Sequence, residues 1–140
     1  MRIVLDTGIF VSALITRNTP PDMLYTAWRE GHFDLVTSQP QLEEIARVLM
    51  YPKLRKYING DEARLLLNTL NTFPDIVESI PIVKYSPDPD DDKIIATAIA
   101  GNASVLVSGD KADILSLREV EGIRLRSARE AVQLLNIAEG

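Results

Sequence analysis

Cysteine is absent from this chain of 140 residues, and histidine occurs once, at position 32. Without a thiol there is no disulfide, no zinc–thiolate site and no thiol chemistry, a pattern that fits a reducing, cytoplasmic setting. His32 follows the helix-ending Gly31 and is assigned no catalytic role, so a histidine general base is not expected. Any metal must be held by oxygen. Long apolar runs are absent too: none approaches the roughly 20 residues that span a bilayer, and charges are spread along the chain. Asp6 interrupts the N-terminal apolar run before a signal-peptide core can form, so neither export nor a membrane is expected. An excess of positive charge is also missing. Twenty acids against fifteen bases leave a net charge of −5, the wrong sign for a general nucleic-acid coat. An enzyme of nucleic acids with this balance needs a local basic patch or bound cations to offset phosphate repulsion. There are no internal repeats or low-complexity linkers.

What is present reads as an ordinary globular protein, with 46% hydrophobic and 25% charged residues. The length suits one domain over residues 1–140, able to bury roughly two-thirds of its unfolded surface. Short apolar runs at 2–6, 33–37, 105–107 and 123–125 predict strands, and further strands are expected near 76–80 and 82–85. Helical spacing predicts helices from Ile9, Pro20, Ser38 or Gln39, Asp61, about Asp91, Ile114 and Ser127. Strand and helix alternate, and the strands lack a polar face. That predicts a three-layer α/β/α sandwich with a central, mostly parallel sheet, whose ligands sit beyond the carboxyl ends of the strands.

Asp6 and Asp110 each follow a predicted strand directly, so both project from that edge; either alone is more often a turn or cap residue, and two at the same edge favour a site. Asp91 lies on the helical face of Ile94, Ile95 and Ala98, which must pack on the sheet, whereas Asp92 and Lys93 rotate away. Asp88 and Asp90 suit helix-dipole capping. Glu43 and Glu44 flank their apolar stripe symmetrically. Glu43 has Arg47 at i+4, the spacing of a surface ion pair, and Glu44 has no such cation, which favours Glu44 as the site residue. Four carboxylates at one edge would repel one another unless cations neutralise them. Mg²⁺ or Mn²⁺ suits such oxygen ligands, and one or two such ions can activate water and stabilise a displaced oxygen, which is the chemistry of phosphodiester hydrolysis.

In Asp6-Thr7, Glu44 within Leu42-Glu43-Glu44-Ile45, Asp91 within Asp88-Pro89-Asp90-Asp91-Asp92-Lys93, and Ser108-Gly109-Asp110, the chain resembles the PIN-domain family. The match covers nearly the whole chain. Ser12-Ala13-Leu14, Pro20-Pro21, Thr37-Ser38 and Val48-Leu49-x-x-Pro52-Lys53-Leu54 look like its VapC-like branch, the toxin components of toxin–antitoxin systems. The resemblance implies an α/β/α sandwich, a Mg²⁺ or Mn²⁺ site, endoribonuclease activity on RNA, a homodimer and a cognate antitoxin. By position Asp6, Asp91 and Asp110 would be metal ligands, Glu44 would bind metal or orient the attacking water, and Thr7, Ser108 and Asp113 would support them. Two positions depart from the pattern. Gly8 stands where many relatives carry Asn or Ser, removing a side chain that would hold Asp6 or a water, and Ser108 replaces the usual Thr but keeps the hydroxyl.

Candidate substrate contacts are Arg17 and the dense basic stretch Lys53, Arg55 and Lys56 beside Tyr51 and Tyr57. The same stretch equally fits a solvated helix end. Trp28, on its helical stripe, belongs to the core or a dimer interface. The principal rival is a catalytically silent PIN-like module that only binds RNA or protein. A phosphoacceptor receiver would want a pair of acids at the first strand end, where only Asp6 stands. A haloacid-dehalogenase phosphatase would want Asp at position 8, which is Gly.

Overall fold

The apolar runs met in the sequence become the buried middle of one sheet. In the computed structural model, which describes residues 1–109 and 112–137, β1 (Arg2–Leu5), β2 (Asp34–Ser38), β3 (Asp75–Val77), β4 (Val105–Ser108), β5 (Glu119–Val120) and β6 (Ile123–Ser127) form a sheet of order β3-β2-β1-β4-β6-β5. Every pairing is parallel except that of β5 with β6. Ile3, Val4 and Leu5 are fully buried, as are Val105, Leu106 and Val107. Strands covered on both faces need no polar side, which explains their unbroken hydrophobicity.

Successive side chains point to opposite faces, so each strand feeds two cores. Ile3, Leu5, Leu35, Val105 and Val107 pack with α1 (Thr7–Ile15), α2 (Pro20–Arg29), α3 (Gln39–Leu49), α4 (Gly60–Thr72) and α7 (Ala128–Leu134). Val4, Val36, Leu106 and Leu125 pack instead with α5 (Pro89–Ala100) and α6 (Ala112–Leu115). The result is the α/β/α sandwich that the alternation predicts. Trp28 lies in the first core, only 8% exposed, which resolves its assignment in favour of the interior.

Polar residues close the helix starts. Ser38 accepts from the Gln41 N–H of α3, Asn59 from those of Asp61 and Glu62 of α4, and Asp88 from that of Asp90 of α5. Ser127 and Glu130 form a reciprocal capping box on α7.

Several sequence expectations need correcting. Residues 82–85 form no strand among the described residues. The flanking prolines 81 and 87 and the lack of a sheet partner leave Ile82 97% exposed in a loop. The strand expected at 76–80 shortens to Asp75–Val77, and a 3-10 turn at Pro52–Leu54 and the edge strand β5 were not anticipated.

From β1 the chain builds outward to β2 and β3, then crosses through α5 to β4 on the other side of β1. Strand order therefore reverses between β1 and β4, and the crevice beyond their carboxyl ends is where such sheets receive ligands.

Candidate active site

Asp6 leaves β1 at that crevice. Its N–H extends the ladder to the Val107 carbonyl at 2.8 Å, and its side chain, only 4% exposed, accepts a hydrogen bond from Ser108 Oγ at 3.1 Å. The retained hydroxyl at position 108 thus orients the first candidate acid from the neighbouring strand. Asp110, which follows it, lies outside the described residues.

Glu44 arrives from α3. Thr7 Oγ1, in the first turn of α1, donates to Glu44 Oε1, so the residue after Asp6 holds the second acid. Glu44 is half-buried and Glu43 exposed. The ion pair expected between Glu43 and Arg47 is not found among the described residues, so the outward turn of Glu43 follows from the helix register and not from a cation. One turn before Glu44, the buried Gln41 donates Nε2–H to the Leu5 carbonyl at 2.6 Å and accepts from Thr37 Oγ1 at 2.6 Å. This side-chain amide ties α3 to the ends of β1 and β2. It escaped the sequence reading, and its one signal was a polar residue next to the apolar stripe of Leu42 and Ile45.

The third acid comes from α5. Asp91 is 2% exposed and accepts from Ser86 Oγ at 3.2 Å, in the loop before the helix. Asp92 turns to the same loop and accepts the N–H groups of Tyr85 and Ser86 at 2.9 and 2.8 Å. Farther along, Thr97 shares a 2.8 Å hydrogen bond with Ser38 at the end of β2. Asp6, Gln41, Glu44, Asp90, Lys93 and Thr97 border one open cleft. The structure therefore brings Asp6 and Glu44 to a common cleft, with Asp91 in the helix turn that forms its far wall.

The other candidates stand elsewhere. Arg17 pairs with Glu62 of α4 at 3.1 Å and lines a different hollow, with Tyr25 and Arg29. Lys53, Arg55 and Lys56 are exposed around the 3-10 turn, where Lys53 and Lys56 lie over the rings of Tyr51 and Tyr57. Arg55 borders a groove between α3 and α4. None of the four borders the acid cleft. Asp113 is exposed on α6, and His32 is exposed beside Glu30, 3.5 Å away.

Chemically, the cleft offers carboxylates, hydroxyls, one amide and, at its border, the Lys93 ammonium. Its hard oxygen donors fit Mg²⁺ or Mn²⁺ and disfavour softer ions. Among the described residues no three acidic or histidine side chains stand close enough together to enclose an ion. Asp6 and Asp91 are carboxylates of the kind that coordinate a divalent ion, with open positions left for water and phosphate.

A PIN domain family model matches residues 2–112, the span that carries the whole cleft. The chain is also similar to an uncharacterized protein of Methanocaldococcus jannaschii, MJ1680, at 35% identity over 121 residues, which are 85% of this chain and 76% of that one. PIN domains are generally nucleases and typically bind divalent metal ions. By the extent of the family match and the architecture around Asp6, the chain belongs to the PIN domain family.

Proposed function

We propose that this protein is a divalent-metal-dependent endoribonuclease that hydrolyses RNA phosphodiester bonds at the Asp6 cleft. The observation that carries the reading is the meeting of buried Asp6 and hydroxyl-held Glu44 in one cleft at the strand-order switch, walled by the helix turn that contains Asp91. Asp6 and Asp91, with Asp110 by family position, would hold the ion, and Glu44 would bind it or orient a water. When bound, Mg²⁺ or Mn²⁺ supplies positive charge that lowers the pKa of water and offsets the charge of the phosphate. The chain's own residues prepare that event. Ser108 fixes the Asp6 carboxylate, Thr7 fixes Glu44, and Ser86 fixes Asp91. The toxin role, a cognate antitoxin, a homodimer and a cytoplasmic location belong to the same proposal and rest on the resemblance to the VapC-like branch.

Incubation of a mixed RNA pool with the wild type in Mg²⁺ or Mn²⁺ tests the reading. Cleavage should disappear on chelation and fall by two orders of magnitude or more in Asp6→Asn and Asp91→Asn, roughly the effect of losing about 3 kcal/mol of transition-state stabilisation. Cleavage that survives chelation and both substitutions would remove the nuclease assignment. Binding of RNA without cleavage by all three proteins would favour a catalytically silent module. That second reading draws on the lack of a three-acid cage among the described residues.

A further inference from the structure

Asp6 borders a second hollow besides the acid cleft. This one, larger than the cleft, opens toward β4, β6 and α7 and is lined by Gly8, Ser12, Pro20, Ser108 and Arg129, among others. Asp6 is the residue common to the two linings. A polymer cut at Asp6 must continue on both sides of the broken bond, so one flank occupies the acid cleft and the other this hollow.

Among the described residues that line this hollow, Arg129 is the cation. It is exposed and makes no ion pair or hydrogen bond among the described residues, unlike its neighbour Glu130, which is engaged by Arg118 and Ser127. It sits in the first turn of α7, where the helix dipole disfavours positive charge. An unpaired arginine at the wrong end of a helix, on the rim of a hollow shared with a buried acid, is suited to an anionic ligand. Gly8 lines the same hollow, and among the described residues a Cβ added there would meet no atom within 4 Å outside its own helical turn.

We propose that Arg129 binds a backbone phosphate of the RNA on the flank opposite the acid cleft. The exposed Lys53–Lys56 stretch borders neither hollow. The inference rests on the nuclease reading and makes Arg129 a substrate-binding residue, with no part in bond cleavage.

Steady-state cleavage of a mixed-sequence RNA by the full chain in Mn²⁺ separates the two. Arg129→Ala should raise KM roughly fivefold with kcat unchanged, and should lower the slope of log kcat/KM against log salt by about 0.7, the loss of one phosphate contact on a single strand. Arg129→Lys should recover most of the affinity. Arg64→Ala, which removes an exposed cation on α4, serves as the charge-matched control and should behave as wild type. A KM within twofold of wild type in Arg129→Ala, an equal rise in Arg64→Ala, or a fall in kcat alone overturns the assignment while leaving the nuclease reading intact. A wild type inert on RNA overturns both.

Discussion

Gly8 and Gly101 both have backbone angles open to any residue, since neither has a positive φ, yet a methyl group would meet different surroundings at each. At Gly8, in the first turn of α1, it meets nothing within 4 Å, so Gly8→Ala removes unfolded-chain entropy at no steric cost and should stabilise by about 0.5 kcal/mol. At Gly101 it would overlap Val36 Cγ1 in the sheet core. There the α5 terminus runs against β2, and the Gly101 carbonyl accepts from Arg2 Nε and Nη2 at 2.9 and 2.7 Å. Gly101→Ala should cost about 1–3 kcal/mol through overpacking. Urea midpoints that move in the same direction for both variants would contradict this contrast. Neither difference is visible in a sequence, where both glycines simply adjoin a helix end. Asp91 is a different case: its burial could be read from the 3.6-residue spacing with Ile94, Ile95 and Ala98, because one helix carries all four. The hydroxyl of Thr7 that reaches Glu44, 37 residues later, required the tertiary structure.

Helix α7 depends on its capping box, and the acid in that box is perturbed. The Arg118 guanidinium first, and the Ser127 N–H next, lower the Glu130 pKa from 4.5 to about 2. A carboxyl depressed in the folded state stabilises it above the unfolded pKa, and this contribution fades as pH falls from about 4.5 toward 2. Helicity or amide protection at α7 should weaken over that window in the wild type and be less pH-dependent there in Glu130→Gln. A flat wild-type profile would show that the box is energetically idle. Helix α3 depends on Gln41 in a different way. Gln41→Ala leaves the Leu5 carbonyl and the Thr37 hydroxyl without this buried partner, a cost of about 2 kcal/mol or more. Thermal unfolding at the wild-type midpoint would argue against the clamp. The expectation for residues 82–85 failed at this same scale, because an apolar run marks a strand only where it engages a ladder partner, and this stretch, between Pro81 and Pro87, pairs with no strand among the described residues.

The fold of the whole molecule was largely legible, since strand–helix alternation and two-sided hydrophobicity leave few arrangements other than a helix-covered parallel sheet. The surroundings of the site were less so. Lys53, Arg55 and Lys56 are close in sequence and conspicuous as a cluster, whereas Arg129 gains its meaning only from the elements that the sheet order places beside Asp6. If the proposed divalent ion binds at the Asp6 cleft, it should stabilise the folded chain. Saturating Mn²⁺, at about 100 times its dissociation constant, should add about 2.7 kcal/mol to wild-type stability, and clearly less to Asp6→Asn. Equal thermal shifts in the two proteins would place the ion elsewhere.

The outer strands of the sheet are β3, three residues long, and β5, two residues long. Margins this brief offer little unpaired backbone on which another chain could extend the sheet. If two copies associate, side-chain packing on helices and loops is then the route open to them, and the pleated layer stays private to each subunit.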